Sequence, residues 1–165
     1  MNSSNQNYID FAQYNIWANN RIIEKLSSLA DEQLNQTIEA SFPSIMKTVA
    51  HLWSAEMGWL NRMQSNGWNT DVIKNFSGST QDMFIGWQQT SQSFKEFVIK
   101  NDLEQLLQFD HKGKHYEIPF REIAQTVFTH GNYHRGQLVM MLRQLGITDI
   151  PQTDYIEWVR QQAHD

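Results

Sequence analysis

The stretch PFREIAQTVFTHGNYHRGQLVMMLRQLG, residues 119–146, carries apolar side chains and two histidines at helical spacing. Steps of three or four residues separate Ile123, Val127, His130, His134, Leu138, Met141 and Leu145. Positions spaced in this way share one face of an α-helix. We therefore predict a long amphipathic helix that follows Pro119, is closed by Gly146 and turns both histidines toward the core.

Three earlier segments show the same periodicity. The first covers residues 8–29, with Asn15 as a polar interruption of its apolar face. The second begins after Ser44, an N-cap residue, and stops at residues 66–67, and the third begins at the cap residue Ser79. Together with the fourth, these segments predict an all-α protein built as a four-helix bundle.

The segments between and after these helices complete the predicted fold. Alternating apolar residues around a glycine turn predict a small β-hairpin within residues 106–118, before the fourth helix. The connection at residues 66–78 is long enough to cross the bundle instead of making a tight antiparallel turn. A short helix at residues 155–161 is expected to pack against one end, and the whole chain, residues 1–165, is expected to form a single domain.

The composition excludes several classes of function. With 13 Lys and Arg against 18 Asp and Glu, the chain is not expected to bind nucleic acid by neutralising phosphates. The absence of cysteine excludes disulfides, thiolate zinc sites and a cysteine nucleophile. The polar N-terminus lacks the pattern of a signal peptide, and no apolar run approaches the roughly 18 residues of a membrane span. We expect a cytoplasmic protein that does not bind membranes.

His130 and His134 lie four residues apart, so both imidazoles project from one helical face about one turn apart. This spacing allows two ring nitrogens to reach one metal ion. A buried imidazole without a partner costs about 1–3 kcal/mol of desolvation. The pair is therefore either a pair of core histidines satisfied by Asn, Gln or backbone groups, or a pair of metal ligands.

His51 favours the metal interpretation. It lies at the edge of the apolar face of the second helix, and facing helices of a bundle can bring a third imidazole to such a pair. Three neutral histidines on a four-coordinate ion leave one position open for water or substrate, as in catalytic zinc sites. His51, His130 and His134 are thus the candidate metal ligands.

Other charged residues have competing interpretations. His111 and His115 share the four-residue spacing but flank a Lys-Gly turn, so we expect them to be exposed. Glu56 could be a fourth ligand, a hydrogen-bond acceptor for a ligand, a base, or a core carboxylate paired with an arginine or a tryptophan NH. Its position, five residues after His51, turns it about 140° away around the helix axis, which counts against direct ligation. Arg135 either holds an anionic substrate group or is an exposed arginine near the helix end.

Four blocks of sequence resemble the DinB-like family. They are YNIWAN at residues 14–19, TVAHL at 48–52, HGNYHRGQ at 130–137 and LRQLG at 142–146, followed by Pro151 and the Asp-Tyr pair at 154–155. The blocks occur in the family's order and are spread over nearly the whole chain. The block at 130–137 is the most specific of them.

The resemblance implies a DinB/YfiT-like four-helix bundle in which His51, His130 and His134 hold a divalent ion such as zinc or nickel. It also implies a homodimer. Several members of the family are S-transferases or isomerases that use bacillithiol, mycothiol or glutathione, and older descriptions call others metal-dependent hydrolases.

The function expected from this resemblance is a metal-dependent S-transferase that joins a low-molecular-weight thiol to a small electrophilic substrate. Since the chain has no cysteine, the reactive sulfur would arrive with the co-substrate. The alternatives are a metal-dependent hydrolase and a non-catalytic protein that binds a metal or a small ligand.

Overall fold

The computed structural model describes residues 5–163 as four long helices, three short helices and one β-hairpin; His164, on the C-terminal tail, lies outside these residues. In chain order the elements are α1 (Gln6–Ser27), α2 (Asp31–Asn35), α3 (Ile45–Met63), α4 (Asp71–Lys74), α5 (Thr80–Lys100), β1 (Leu106–His111), β2 (Lys114–Pro119), α6 (Phe120–Gln144) and α7 (Tyr155–Gln162). The predicted bundle with a hairpin before its fourth long helix is confirmed.

Local capping explains why the long helices begin and end where the sequence predicts. The Ser44 side chain accepts a hydrogen bond from the backbone N–H of Lys47 at the start of α3. Ser79 and Asp82 form a reciprocal capping box at the start of α5. Gly146 follows the end of α6 with a positive φ of 79°, a conformation that glycine adopts at little cost.

The four long helices form two pairs of opposite direction. The first halves of α3 and α5 pack with the second halves of α1 and α6 in one apolar cluster. The second halves of α3 and α5 pack with the beginnings of α1 and α6 in another. Since α3 and α5 are parallel neighbours, the connection at residues 64–79 runs back along the bundle. The expectation that it makes no tight antiparallel turn is confirmed.

The hairpin packs beside the beginning of α6, and the last helix packs against α1. β1 and β2 pair antiparallel, from Leu106 opposite Pro119 to His111 opposite Lys114. Trp158 of α7 packs against the side of α1, so the expectation that this helix covers one end of the bundle is wrong. Aromatic side chains along α1 provide the contact surface, and Trp17 Nε1 donates to Gln161 Oε1 at 3.0 Å. Within residues 5–163, no helix combines the length and apolar character required to cross a lipid bilayer.

Candidate metal centre

Three histidines from two facing helices converge between α3 and α6. α3 supplies His51, and α6 supplies His130 and His134 from consecutive turns. One ring nitrogen from each lies within 4.8 Å of the others, and the Nε2 atoms of His51 and His130 are 3.0 Å apart. In the described part of the chain, no carboxylate joins this group. The structure therefore brings together the three residues that the sequence singles out.

A hydrogen bond fixes the tautomer of His134. Its Nδ1 lies 2.6 Å from Oε1 of Gln137, one turn further along α6. An amide oxygen only accepts, so Nδ1 carries the hydrogen and Nε2 keeps its lone pair. The Gln137 amide in turn donates to Ser41 Oγ at 3.4 Å. Such support of the distal ring nitrogen is typical of histidine ligands in metal sites.

Burial favours the neutral form of His51 and His130. It is the main cause of the lowering of the His130 pKa to about 4, and the charges of His134 and His51 add to the effect. The pKa of His51 is lowered as well, first by burial and then by His134. Neutral imidazole is the form that binds metal, so the site is electrostatically prepared for a cation.

Two aromatic side chains flank the histidines. The Phe42 ring stacks on His51 with centroids 4.3 Å apart, and Tyr133 meets His134 edge-on at 5.0 Å. Phe42 lies in an irregular segment before α3, where no periodic pattern marks it as part of a site. These rings restrict the orientations of two imidazoles and give the surroundings an apolar character.

The three imidazole donors suit a divalent ion of intermediate softness. Imidazole nitrogen suits zinc, nickel and copper, whereas magnesium and calcium prefer oxygen ligands. Structural zinc sites are closed by four protein ligands, and three protein ligands leave one position open. A metal ion held by these three histidines alone would keep one position open.

Glu56 does not belong to the histidine group. Its carboxylate is buried, with Oε1 accepting from Asn15 Nδ2 at 3.1 Å and Oε2 accepting from Trp87 Nε1 at 3.2 Å and Ser91 Oγ at 2.9 Å. The interpretation as a fourth ligand is wrong, and the pairing with a tryptophan NH is confirmed. Burial raises the pKa of Glu56 to about 7, although its hydrogen bonds and the charge of Arg135 act in the opposite direction.

Arg135 is buried, with 1% of its surface exposed, so the interpretation as an exposed arginine near the helix end is wrong. A contact with an anionic substrate group stays a prediction. Arg135 Nη1 donates to Oδ1 of Asn15 and Oδ1 of Asn19, both at 2.8 Å. Gly131, one turn earlier, makes room, because a Cβ there would lie 3.1 Å from Nη1. The side chain turns inward because α1 presents two amide oxygens that accept hydrogen bonds from a guanidinium.

These contacts form a polar layer across the bundle, which consists of Asn15, Asn19, Glu56, Ser91 and Arg135. Sequence reasoning noted Asn15 but missed Asn19 and Ser91. The signal for Asn19 was available, since two asparagines four residues apart on one helix share a face. The layer reaches the histidines, because Asn15, Glu56 and His130 line one internal cavity of about 10 Å³.

The second histidine pair does not form a site. His111 lies opposite Lys114 and His115 lies opposite Asp110, which places the two imidazoles on opposite faces of the hairpin. Both are exposed, as the sequence predicts, and His115 Nδ1 lies 2.9 Å from Asp110 Oδ1. The four-residue spacing brings two side chains together on a helix but separates them across a hairpin turn.

Comparison with known proteins agrees with the resemblance found in the sequence. A family model described as the DinB family matches residues 1–163. Protein DinB of Bacillus subtilis (strain 168) is 29% identical over 168 residues, which cover 88% of this chain and 92% of that protein. The crystal structure of a DinB-like protein from Bacillus subtilis at 2.30 Å resolution matches with a TM-score of 0.68 and 15% identity, covering 87% of this chain and 96% of the other. At this identity the structural match supports the fold alone.

Proposed function

The chain belongs to the DinB family, and we propose that it binds one divalent metal ion through His51, His130 and His134. The observation that carries this proposal is the convergence of three imidazoles, one of them held by Gln137 in the tautomer that leaves Nε2 free. Zinc and nickel are the ions that this donor set and the family resemblance favour.

We further propose that the protein is a metal-dependent S-transferase acting on a low-molecular-weight thiol and a small electrophile. The three-ligand donor set and the family resemblance support this reaction class, and a chain without cysteine needs a thiol from outside. When bound, a divalent ion with an open position supplies Lewis acidity, which favours the deprotonated form of a thiol or of water. The three histidines hold the ion, and Phe42 and Tyr133 give the surroundings of the reacting groups their apolar character.

The same three-ligand arrangement would also suit hydrolysis, which is the second candidate function. A homodimer, the quaternary structure that the resemblance implies, remains a proposal. Sedimentation analysis at two protein concentrations would test it against the chain mass of 19.4 kDa.

Elemental analysis of the purified, untagged protein tests the metal site. We expect about one divalent ion per chain in the wild type and in the His111→Ala/His115→Ala double variant. His130→Ala should lose most of its metal. Absence of metal from the wild type after reconstitution would overturn both enzymatic proposals, and retention by His130→Ala would place the metal elsewhere.

Activity assays with the metal-loaded protein distinguish the candidate reactions. The protein is incubated with an electrophile such as monochlorobimane, in the presence and absence of each member of a panel of small thiols. Thiol-dependent turnover that is lost in His130→Ala supports the transferase. Hydrolysis of ester or amide substrates without thiol would support the second candidate, and a loaded protein inactive in both assays would be a binding protein.

A further inference from the structure

A second concave site lies between the end of α3, the loop after it and the hairpin. It encloses about 400 Å³ and is lined by Trp59, Arg62, Trp68, Phe109, His111 and Tyr116 among others. Small-molecule pockets typically measure about 300–1,000 Å³. Trp59 also lines the small cavity beside His130, but none of the three histidines lines this pocket, so the two sites are neighbours that share one side chain.

Aromatic rings form the walls of the pocket. Trp59 meets Trp68 edge-on at 5.3 Å and Phe109 edge-on at 5.7 Å, and Phe109 stacks on Tyr116 at 5.5 Å. The Trp68 indole lies against Gly58 of α3, where a Cβ would come within 2.7 Å of its ring. Trp68 nonetheless keeps 42% of its surface exposed. Because Gly58 has no side chain, the Trp68 ring can lie against α3, and it remains accessible to a ligand.

Arg62 supplies a positive charge without a protein counter-ion. Its guanidinium carbon lies over the rings of Trp59, Trp68 and Phe109 at 5.3, 4.7 and 4.5 Å. Within residues 5–163 no carboxylate pairs with it, and burial alone lowers the pKa of Arg62. A guanidinium offers five N–H donors in a planar fork that matches an oxyanion. Its ring contacts leave those donors available to such a group.

The hairpin keeps its acidic side chains away from the pocket. Cross-strand partners share a face, so Phe109 with Tyr116 and His111 with Lys114 belong to the pocket side. Asp110 and Glu117 belong to the opposite face, where they contact His115 and Gln108. The pocket therefore combines aromatic walls with the positive charge of Arg62.

We propose that this pocket binds a planar aromatic anion, such as an aryl carboxylate, independently of the metal centre. The aromatic ring of the ligand packs against Trp68 and Tyr116, the exposed rings of the lining, and its carboxylate accepts hydrogen bonds from Arg62. Both parts are needed, because the rings alone do not select for charge and Arg62 alone is one side chain at a surface.

Isothermal titration calorimetry with 2-naphthoate as the probe tests the proposal, with methyl 2-naphthoate as its uncharged counterpart. We expect the wild type to bind the acid more tightly than the ester. Arg62→Gln should weaken binding of the acid by about tenfold or more, because a hydrogen bond to a charged group is lost. Arg143→Gln removes an exposed arginine of α6 and is the matched control, for which unchanged affinity is expected.

Each titration is repeated after metal removal, because a carboxylate could also bind a metal ion. Affinity that survives chelation supports the pocket, and affinity lost on chelation would assign the probe to the histidines and overturn the proposal. Equal binding of acid and ester by the wild type, or no binding of either, would also overturn the proposal. Both results are obtained with the wild type and do not depend on whether a variant folds. Gly58→Ala, which displaces Trp68, should weaken the acid and the ester together.

Discussion

Asn15 joins the two oppositely charged side chains of the polar layer. Its amide oxygen accepts from Arg135, and its amide nitrogen donates to Glu56. Arg135 and Glu56 form no direct ion pair. The Asn15 amide is hydrogen-bonded to both and lies between them. The polar interruption in the apolar face of α1 thus has a structural reason, since a hydrophobic residue there would leave both groups without that partner.

The raised pKa of Glu56 makes stability depend on pH. Glu56 has an ordinary pKa of 4.5 and a folded-state pKa of about 7. Between these values the folded chain keeps a proton that the unfolded chain releases, so the wild type loses stability as pH rises through this range. Glu56→Gln cannot ionise and lacks this loss. We expect its deficit in Tm relative to the wild type to be largest near pH 4.5 and to shrink toward pH 8.

Thermal unfolding followed by circular dichroism at a series of pH values measures this difference. Glu24→Gln, which changes an exposed carboxylate of α1, is the control and should follow the wild-type profile. A Glu56→Gln deficit that grows with pH would show that the buried carboxylate is stabilised in its charged form, contrary to this account.

At the scale of single elements, two helical glycines differ in the space around them: Gly86 is crowded and Gly136 is open. A Cβ on Gly86 of α5 would lie 2.4 Å from the Trp53 ring, whereas a Cβ on Gly136 of α6 would have no neighbour within 4 Å. Trp53 is buried and donates to Thr90 Oγ1 at 2.8 Å, so it cannot move without loss. The first glycine therefore permits close packing of α3 on α5, and the second has no packing role.

Alanine substitution should separate these two roles. We expect Gly86→Ala to reduce the free energy of unfolding by about 1–3 kcal/mol through overpacking. Gly136→Ala should increase it by about 0.5–1 kcal/mol, because alanine is the better helix former and meets no clash. Urea unfolding of the metal-free variants measures both changes. If Gly86→Ala raises the midpoint as Gly136→Ala does, helix propensity rather than packing governs Gly86.

The long elements could be predicted from sequence because their signals are local. The caps at Ser44 and Ser79 and the closing glycine at position 146 each act within one turn of their own helix. The short helices α2 and α4 have five and four residues, too few for a 3.6-residue period to appear.

The side chains of the candidate site were predictable only in part. Periodicity places His51, His130 and His134 on faces that can meet in a bundle. Periodicity does not show which neighbouring helix each side of α6 contacts. The contact of Arg135 with α1 was therefore missed. Residues such as Gln137 and Phe42 act through contacts with one particular neighbour, and no sequence spacing reports such a contact.

On the scale of the whole molecule, the bundle has two apolar clusters separated by the polar layer. The three histidines lie near this layer and join α3 to α6, two helices that are distant in sequence. An ion held by both helices would tie the halves of the chain together. Binding to the folded chain alone stabilises it by mass action.

Removal of metal should therefore lower the Tm of the wild type. At a free metal concentration of 100 Kd, the stabilisation lost is about 2.7 kcal/mol. The effect should shrink as pH falls toward about 4, the pKa of His130, because protons then compete with metal for that imidazole. Scanning calorimetry with and without chelator measures the shift, and His130→Ala is the reference. A chelator effect of equal size in that variant would mean that the stabilising metal is bound elsewhere.

Anomalous diffraction from crystals of the zinc-loaded protein, recorded on both sides of the zinc absorption edge, tests the metal centre most directly. We predict one anomalous peak per chain, about 2.0–2.1 Å from a ring nitrogen of each of His51, His130 and His134. No fourth protein ligand should be present. A peak at the hairpin histidines, a site closed by a fourth side chain, or no peak between α3 and α6 in zinc-saturated crystals would contradict the account.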